Sequence, residues 1–477
     1  MREKRRFAER TRISKEDRTI KKYFLVFEGN RTEGIYFNAI NELKDKIGIN
    51  PLIEIISIER TYTEEGWSNP KKILEQLLKD LEEIENGKFS YKTLVDKIIE
   101  EENLSKGDSI YESFAGCGTT LVSAQKKGIS AYGNEGQELL FDVIQAKLNW
   151  DIDKNLIESV LADIKRNIFN KGNHTKLYHK LLESLYTKEN LFELYFIRDY
   201  IQSLDEKTKL FLKLALTQTL HKVSVHPIAV PYISRSKFLK NELSGLQMFE
   251  KIVRKMLDDL DSYQNIPKTT NIFHHDSRKT NYNIDSNSCS ICITSPPYLN
   301  NLDYGEVSKV CSHFYGITDN WNDITEKVRK NLVTGATTHY KEADFQFEEW
   351  KKNQFYIENK NVIDNLMPDI LKIKEISKNK KGKKSFDILA LLYFEDMYNV
   401  LLEMRRVLKQ RSKAYLVLGD SAPYGIFIDT TKLLGEIALN SGFNKYNIVK
   451  IRERGTKWTS LKNRHNLKLS ENILILE

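Results

Sequence analysis

The chain has 477 residues, enough for two or three domains. Its 40% hydrophobic content supports ordinary globular cores, no apolar run is long enough to span a bilayer, and 4 cysteines are too few for a disulfide framework. The formal net charge of +8 suits a polyanionic partner without requiring one.

In chain order, the basic start MREKRRFAERTR has no apolar stretch behind it that could act as a signal peptide, so a cytoplasmic protein is expected. Residues 1–20 read as a charged arm. KKYFLVFEGN (21–30) then predicts a short buried strand ending at Glu28-Gly29. TEGIYFNAINELKDKIG (32–48) has helical apolar spacing, LIEIISIER (52–60) predicts a second strand, and NPKKILEQLLKDLEEIENG (69–87) a second helix. A new unit opens near Lys88 with the helical pattern YKTLVDKIIEEENL. SKGDSIYESFAGCGTT passes from a turn through a strand into a Gly-rich loop, LVSAQKKG predicts the next helix, and ISAYGNEGQ the next strand. The region 151–265 is dominated by helical patterns. Strands return at SCSICITSPPY (288–298), AYLVLGD (414–420) and ENILILE (471–477). Helices separated by buried strands predict a parallel α/β sheet. The basic stretch ILKIKEISKNKKGKKS (370–385) reads either as a solvated loop or as a phosphate-contacting one.

Two motifs carry the chemistry. The first is Phe114-Ala115-Gly116-Cys117-Gly118-Thr119-Thr120, set between a strand and a helix. This is the context of a nucleoside-binding crevice. Gly116 and Gly118 let the backbone turn sharply and approach a ligand, and Thr119 or Thr120 is expected to cap the following helix. Glu135, at the end of the next strand, is placed to accept hydrogen bonds from both hydroxyls of a ribose. The loop does not match the phosphate-binding pattern G-x-x-x-x-G-K-[ST].

The second motif, Thr294-Ser295-Pro296-Pro297-Tyr298, follows the apolar run SICI. Two prolines cannot continue a central ladder and they stiffen the turn, giving a rigid platform at the carboxyl edge of the sheet. Ser295 and the carbonyls around Pro296 can accept hydrogen bonds from an amino group, and Tyr298 offers a face on which a base can stack. An exocyclic amine is a poor nucleophile because its lone pair is delocalised into the ring. Acceptors on its two hydrogens favour the pyramidal geometry that frees the pair, with the methyl donor in line. Cys289 and Cys292 form a lone C-x-x-C with no second pair to complete a zinc site, so no metal is expected.

FAGCGTT and TSPPY together resemble the amino-directed DNA methyltransferases, over roughly residues 89–477. The resemblance extends to TSPPYLNNLDYGEV, VLGDSAPYG (417–425), RERGTKW (452–458) and LSENILIL (469–476). It implies a Rossmann-like α/β methyltransferase sheet with a helical insertion, S-adenosylmethionine as cofactor, double-stranded DNA as substrate, and a restriction-modification or phage-defence setting with a cognate restriction endonuclease as a further partner. It assigns Glu112, Phe114, Gly116, Gly118, Thr119, Glu135 and Asp276 to the cofactor, Asp276 toward the adenine amine. Ser295, Pro296, Pro297 and Tyr298 become the catalytic platform. SPPY favours N4 of cytosine, with N6 of adenine as the runner-up. Glu112-Ser113 departs from the usual Asp-Pro before Phe114, Ser290 replaces a frequent Asp, and LKQRSKA (408–414) lacks the usual Pro-Gly-Gly turn. An RNA base methyltransferase and a catalytically inactive DNA-binding defence component are the competing readings.

The helical region 151–265 is expected to contact DNA, with Arg235 and Lys237 as candidate phosphate contacts, and the segment 320–385 competes for that role. Within a first unit of residues 1–87, about residues 15–85 resemble the opening of the RloB family, a Toprim-like unit, with Glu28 matching its glutamate. The Asp-x-Asp strand that such a nuclease needs for magnesium does not follow. Asp151-Ile152-Asp153 has the letters but comes after FDVIQAKLNW, so this unit is expected to be a remnant or a DNA-contacting arm through Arg2, Lys4, Arg5 and Arg6.

Overall fold

The computed structural model describes residues 21–26, 53–58, 90–168, 178–228, 233–240, 242–263, 266–380, 384–454 and 467–477. The chain divides into two compact units, residues 1–88 and 89–477. In the first, strands β1 (Lys21–Val26) and β2 (Ile53–Ile58) pair in parallel, Lys21 opposite Ile53. Glu28, the basic residues 2–6 and the two helices expected at 32–48 and 69–87 lie outside the described residues.

The second unit is built on a seven-stranded sheet. Its strands are β3 (Ser109–Glu112), β4 (Ser130–Glu135), β5 (Thr270–His274), β6 (Cys289–Thr294), β7 (Leu408–Gly419), β8 (Tyr446–Arg454) and β9 (Leu469–Leu476). The spatial order is β5-β4-β3-β6-β7-β9-β8. β3 to β7 are mutually parallel, and β9 enters antiparallel between β7 and β8. The chain builds outward from β3 to one edge and then returns to the other side of β3 with β6. That reversal opens a crevice at the carboxyl ends of β3 and β6, where open α/β sheets bind ligands.

The alternation of side chains along each strand divides the interior into two layers. Ile110, Ile291 and Ile293 face one layer, packing with Val95, Ile98 and Ile99 of α1 (Tyr91–Glu101) and Leu121 and Ala124 of α2 (Thr119–Lys126). Tyr111 and Cys292 face the other, with the long apolar face that includes Leu389, Tyr393, Met397 and Leu401; Cys289 joins this layer across the register shift between Cys289 and Ile291. The cysteines are therefore core side chains on a strand. Burial pushes the Cys292 thiol well above its ordinary range, and no cluster of metal-ligating groups occurs among the described residues.

Between β4 and β5 the chain forms α3 (Glu138–Leu148) and then a helical layer: α4 (Lys154–Ile168), α5 (Lys188–Ile201), α6 (Glu206–Lys222) and α7 (Gly245–Leu260). These helices bury a core of their own through residues such as Ile157, Leu161, Leu194, Leu212, Leu216 and Phe249. Val310, Cys311 and Phe314, which follow the proline turn, complete that core. Lys213 on α6 pairs with Asp142 on α3 at 2.5 Å, tying the insertion to the sheet layer.

The basic stretch at 370–385 is a loop only in part. Its first half belongs to the helix α8 (Lys360–Lys378), which buries Ile363, Leu366, Ile370 and Ile373 and leaves its lysines outside. Lys372 and Lys378 pair with Asp369 and Glu375 on the same helix. α9 (Phe386–Val407) and α10 (Thr430–Asn440) finish the layer. No helix among the described residues is long and apolar enough to cross a membrane.

The segment after the proline turn is held by a buried ion pair. Asp303 caps the short helix at 304–307 through the Gly305 and Glu306 N–H groups. It also accepts from the Arg329 guanidinium at 2.5 Å, and the Arg329 side chain is fully buried. The indole of Trp321 covers that guanidinium at 4.1 Å. Burial opposes ionisation of Asp303, but the hydrogen bonds around it prevail and hold its carboxyl far below the usual range. Breaking a buried pair strands the remaining charge. Arg329→Met is expected to cost about 3–5 kcal/mol of stability, read from denaturant unfolding, and an unchanged midpoint would refute this role.

Candidate functional site

The crevice at the carboxyl ends of β3, β4 and β6 holds a cavity of about 340 Å³. Its lining brings together Phe114, Gly116, Thr119, Glu135, Asp276, Ser295 and Pro297. Residues as far apart in the sequence as Tyr91 and Val333 thus meet at one place, and Ser113 in the lining hydrogen-bonds Thr294, its Oγ 3.2 Å from Thr294 Oγ1. Four residues assigned to the site in the sequence, Glu112, Gly118, Pro296 and Tyr298, are absent from this lining. Each has a different placement.

Glu112 is buried under the Gly-rich loop rather than beside its ligand face. Its Oε1 accepts the Phe114 N–H at 3.1 Å, and its Oε2 accepts from Thr120 Oγ1 at 2.6 Å and the Tyr91 hydroxyl at 3.1 Å. Burial raises its pKa to about 7. The substitution of Glu-Ser for Asp-Pro thus has a local use, since the carboxylate organises the loop from below. Gly118 has φ +81° and precedes α2 in the left-handed region, where a Cβ would stand 3.1 Å from Ile144 Cγ2. It occupies the cap position itself, with no side-chain cap. The expectation that Thr119 or Thr120 caps this helix is therefore wrong: both are already helical, and Thr120 turns inward to Glu112.

Glu135 ends β4. Its Oε2 accepts the Gly116 N–H at 2.8 Å and its Oε1 the Gln137 N–H at 2.9 Å. Burial raises its pKa to about 7, opposed by those two N–H groups. Each carboxylate oxygen retains a lone pair, so it can accept from a diol while holding the loop. Asp276 lines the cavity, but Arg278 engages both its oxygens, Nε to Oδ1 and Nη2 to Oδ2, each at 2.9 Å. Burial works against the ionised form there, yet Arg278 outweighs it and the Asp276 pKa is lowered.

Several lining residues went unnoticed in the sequence. Tyr91, Asn134, Gln137 and Tyr304 join the wall, and Asn331, Leu332 and Val333 form a roof. The roof is tied down at three points. Arg278 Nη2 donates to the Lys330 carbonyl at 2.5 Å, Thr334 donates through N–H and Oγ1 to Asp396 at 2.8 and 2.7 Å, and Arg329 is anchored on Asp303. It lies close to Gly136, where a Cβ would sit 2.5 Å from the Asn331 carbonyl oxygen. The LNN-x-DY pattern is the one signal that pointed here, since Asp303 and Tyr304 belong to it. Nothing in NLVTGATTH marks it as a roof.

A nucleoside fits these walls. A carboxylate with spare lone pairs stands at the end of β4, a glycine loop of positive φ flanks it, and Gln137 Oε1 is buried there without a partner among the described residues. The volume falls in the usual range for small-ligand sites.

Fold and site together define an open α/β protein with a nucleoside-type crevice. No family model matches the chain. It is similar to curated type II methyltransferases. M.AvaI of Nostoc sp. is 24% identical over 394 residues, covering 75% of this chain and 78% of that protein. M.BsoBI of Geobacillus stearothermophilus is 23% identical, covering 85% and 88%, and M.MvaI of Kocuria varians 22%, covering 71% and 75%. Among solved structures, a modification subunit of a putative type I restriction enzyme from Vibrio vulnificus aligns with 10% identity and a TM-score of 0.25, over 88% of this chain and 50% of that one. That likeness is too distant to argue from. The resemblance of about residues 15–85 to the RloB family finds no support in these relatives.

Because burial raises the Glu135 pKa from 4.5 to about 7, the folded protein retains a proton that the unfolded chain releases near 4.5. Its contribution to stability therefore declines as pH rises from about 4.5 toward 7. Ligand binding has the opposite sense, since only the carboxylate accepts freely from two hydroxyls. Affinity for S-adenosylmethionine, the cofactor the sequence resemblance implies, is expected to rise with pH up to about 7 and then level. In Glu135→Gln that pH dependence should vanish, as read by calorimetric titration at a series of pH values, and an unaltered profile would place the ribose contact elsewhere.

Proposed function

We propose that this chain transfers a methyl group from S-adenosylmethionine to an exocyclic amino group of a base in double-stranded DNA, N4 of cytosine first, within a restriction-modification system. The observation that carries the reading is the single cavity lined by Gly116 and Glu135 on one side and by Ser295 and Pro297 on the other. A nucleoside crevice and an amine-binding turn share one space, as a direct transfer between two substrates demands. The similarity to type II methyltransferases supports DNA as the substrate. Such a system would include a cognate restriction endonuclease.

In this reading the cofactor supplies an electrophilic methyl group, and the chain does the rest. Glu135 accepts from the ribose hydroxyls, and Asp276, fixed by Arg278, offers its remaining lone pairs to the adenine amine. The Phe114 ring, partly buried at the mouth, covers the nucleoside. Ser295 and the Pro296 carbonyl accept the amino hydrogens of the target base. The Pro297 carbonyl is already engaged by the Tyr393 hydroxyl at 3.0 Å, which stiffens the turn. Tyr298 is set by Glu471, which accepts its hydroxyl at 2.8 Å, so its ring can serve as a fixed stacking face. The helical layer 151–265 remains the DNA-contacting region of this reading, with Arg235 and Lys237 exposed.

Mass spectrometry of nucleosides digested from DNA treated with the protein and cofactor is expected to yield N4-methylcytosine. N6-methyladenine alone would refute the choice of base, and no methylation would refute the activity. Tyr298→Ala should lose most turnover and keep cofactor affinity, because stacking contributes about 1–3 kcal/mol per base. Removal of residues 1–87 should leave this chemistry intact and at most weaken DNA binding at low salt. Magnesium-dependent DNA cleavage by the full chain that Glu28→Ala abolishes would instead give the N-terminal unit a nuclease role.

A further inference from the structure

A second cavity, of about 480 Å³, lies next to the proline turn and shares no lining residue with the first. Leu299, Asn300, Lys380, Asp420, Tyr424 and Arg454 form much of its wall. Two charged groups in that wall have polar atoms without partners among the described residues: Arg454 Nη1 and Asp420 Oδ1, both buried. Asp420 is only 7% exposed, and its other oxygen accepts the Ser470 N–H at 3.2 Å.

The neighbouring carboxylate, Glu471, makes its hydrogen bonds to other groups. Glu471 gives one oxygen to the Tyr298 hydroxyl at 2.8 Å and the other to Arg452 at 2.5 Å. Arg454 instead lies over the Tyr298 ring, 4.8 Å from its centroid. Gly419 makes that position possible, since a Cβ there would stand 1.7 Å from Arg454 Nη1 and 2.9 Å from Tyr298 Cδ2. Leaving a buried cationic donor without an acceptor is costly, and such a group calls for an explanation. Together, a polar cavity with the Tyr424 ring in its wall, an unmatched donor and an unmatched acceptor describe the complement of a flat ligand that carries both hydrogen-bonding senses.

We propose that this cavity receives the extruded target base and that Arg454 donates to a carbonyl oxygen on its ring, making Arg454 a specificity-determining residue for cytosine over adenine. The inference rests on the methyltransferase reading above and adds to it a pocket and a cause for the choice of base. Cytosine has a ring carbonyl, and adenine has only ring nitrogens as acceptors. With the amino group at Ser295 and Pro296, the rest of the base extends past Tyr298 toward Arg454. Extrusion is required because the amine cannot meet the cofactor inside the duplex. Lys380 in the same wall adds a positive charge that favours the approach of a polyanion.

The test compares wild type, Arg454→Met and Arg454→Lys on genomic DNA from a methylation-deficient host, with labelled S-adenosylmethionine and nucleoside mass spectrometry. Cofactor affinity is measured in parallel by calorimetry. Arg454→Met should lower cytosine methylation about ten- to hundred-fold in kcat/KM, with cofactor affinity unchanged. Arg454→Lys, which keeps the charge but loses the fork, should fall between the two. Wild-type turnover in Arg454→Met would overturn the proposal, as would a parallel loss of cofactor affinity in both variants. A loss in Arg454→Met that Arg454→Lys fully restores, with a shallower salt dependence, would assign a backbone phosphate contact and overturn the reading of the base. A wild type that forms only N6-methyladenine would overturn the carbonyl contact while leaving methyl transfer standing. A wild type that methylates no DNA would remove the proposed function and this inference with it.

Discussion

The site depends on one carboxylate. Glu135 ends β4 and reaches back to hold the Gly116 N–H, so the loop after β3 takes its shape from the strand beside it. Glu112 repeats the device from beneath by holding the Phe114 N–H. Both carboxylates are buried, and burial raises both toward neutrality, to about 7. A loop held by two desolvated acids is preorganised at the expense of stability, a common condition of binding sites.

The roof follows the same logic with opposite charges. Arg278 joins Asp276 in the wall to Asp396 on α9, and Asp396 holds Thr334. Arg329 joins the other end of the roof to Asp303, beside Tyr304 of the cavity wall. Buried ion pairs of this kind add little net stability, but they penalise every arrangement in which a partner is missing. The consequence is a roof with one position, set over Gly136, where the Asn331 carbonyl leaves no room for a side chain.

The two cavities divide the labour around the proline turn. Ser295 and Pro297 face the first, and Leu299 leads into the second. Tyr298 stands at the junction with its hydroxyl on Glu471 and Arg454 over its ring. The antiparallel β9 supplies Glu471 and the neighbouring β8 supplies Arg454, so the sheet's last hairpin positions the far side of the site. The helical layer between β4 and β5 has a core of its own and touches this arrangement through the segment 310–314 that follows the turn.

The sequence by itself determined the local elements whose signals are local. The buried strands at Ser109–Glu112 and Cys289–Thr294, the glycine loop, the acid at the end of β4 and the proline platform were all legible, because glycine, proline and apolar runs constrain the backbone where they stand. β5 and β8 were missed, since each mixes exposed polar residues with few buried ones and lacks a continuous apolar run. The tertiary structure alone decided which side chains share a cavity. Glu112 reads as a ligand-facing acid and is a loop support, Thr120 reads as a cap and is a donor to that acid, and Tyr91, Gln137 and residues 331–333 carry no motif at all. Their proximity comes from strand order and from buried charge pairs as distant in sequence as Arg278 and Asp396. A pairing of that kind is set by the packed fold and leaves no periodic trace along the chain.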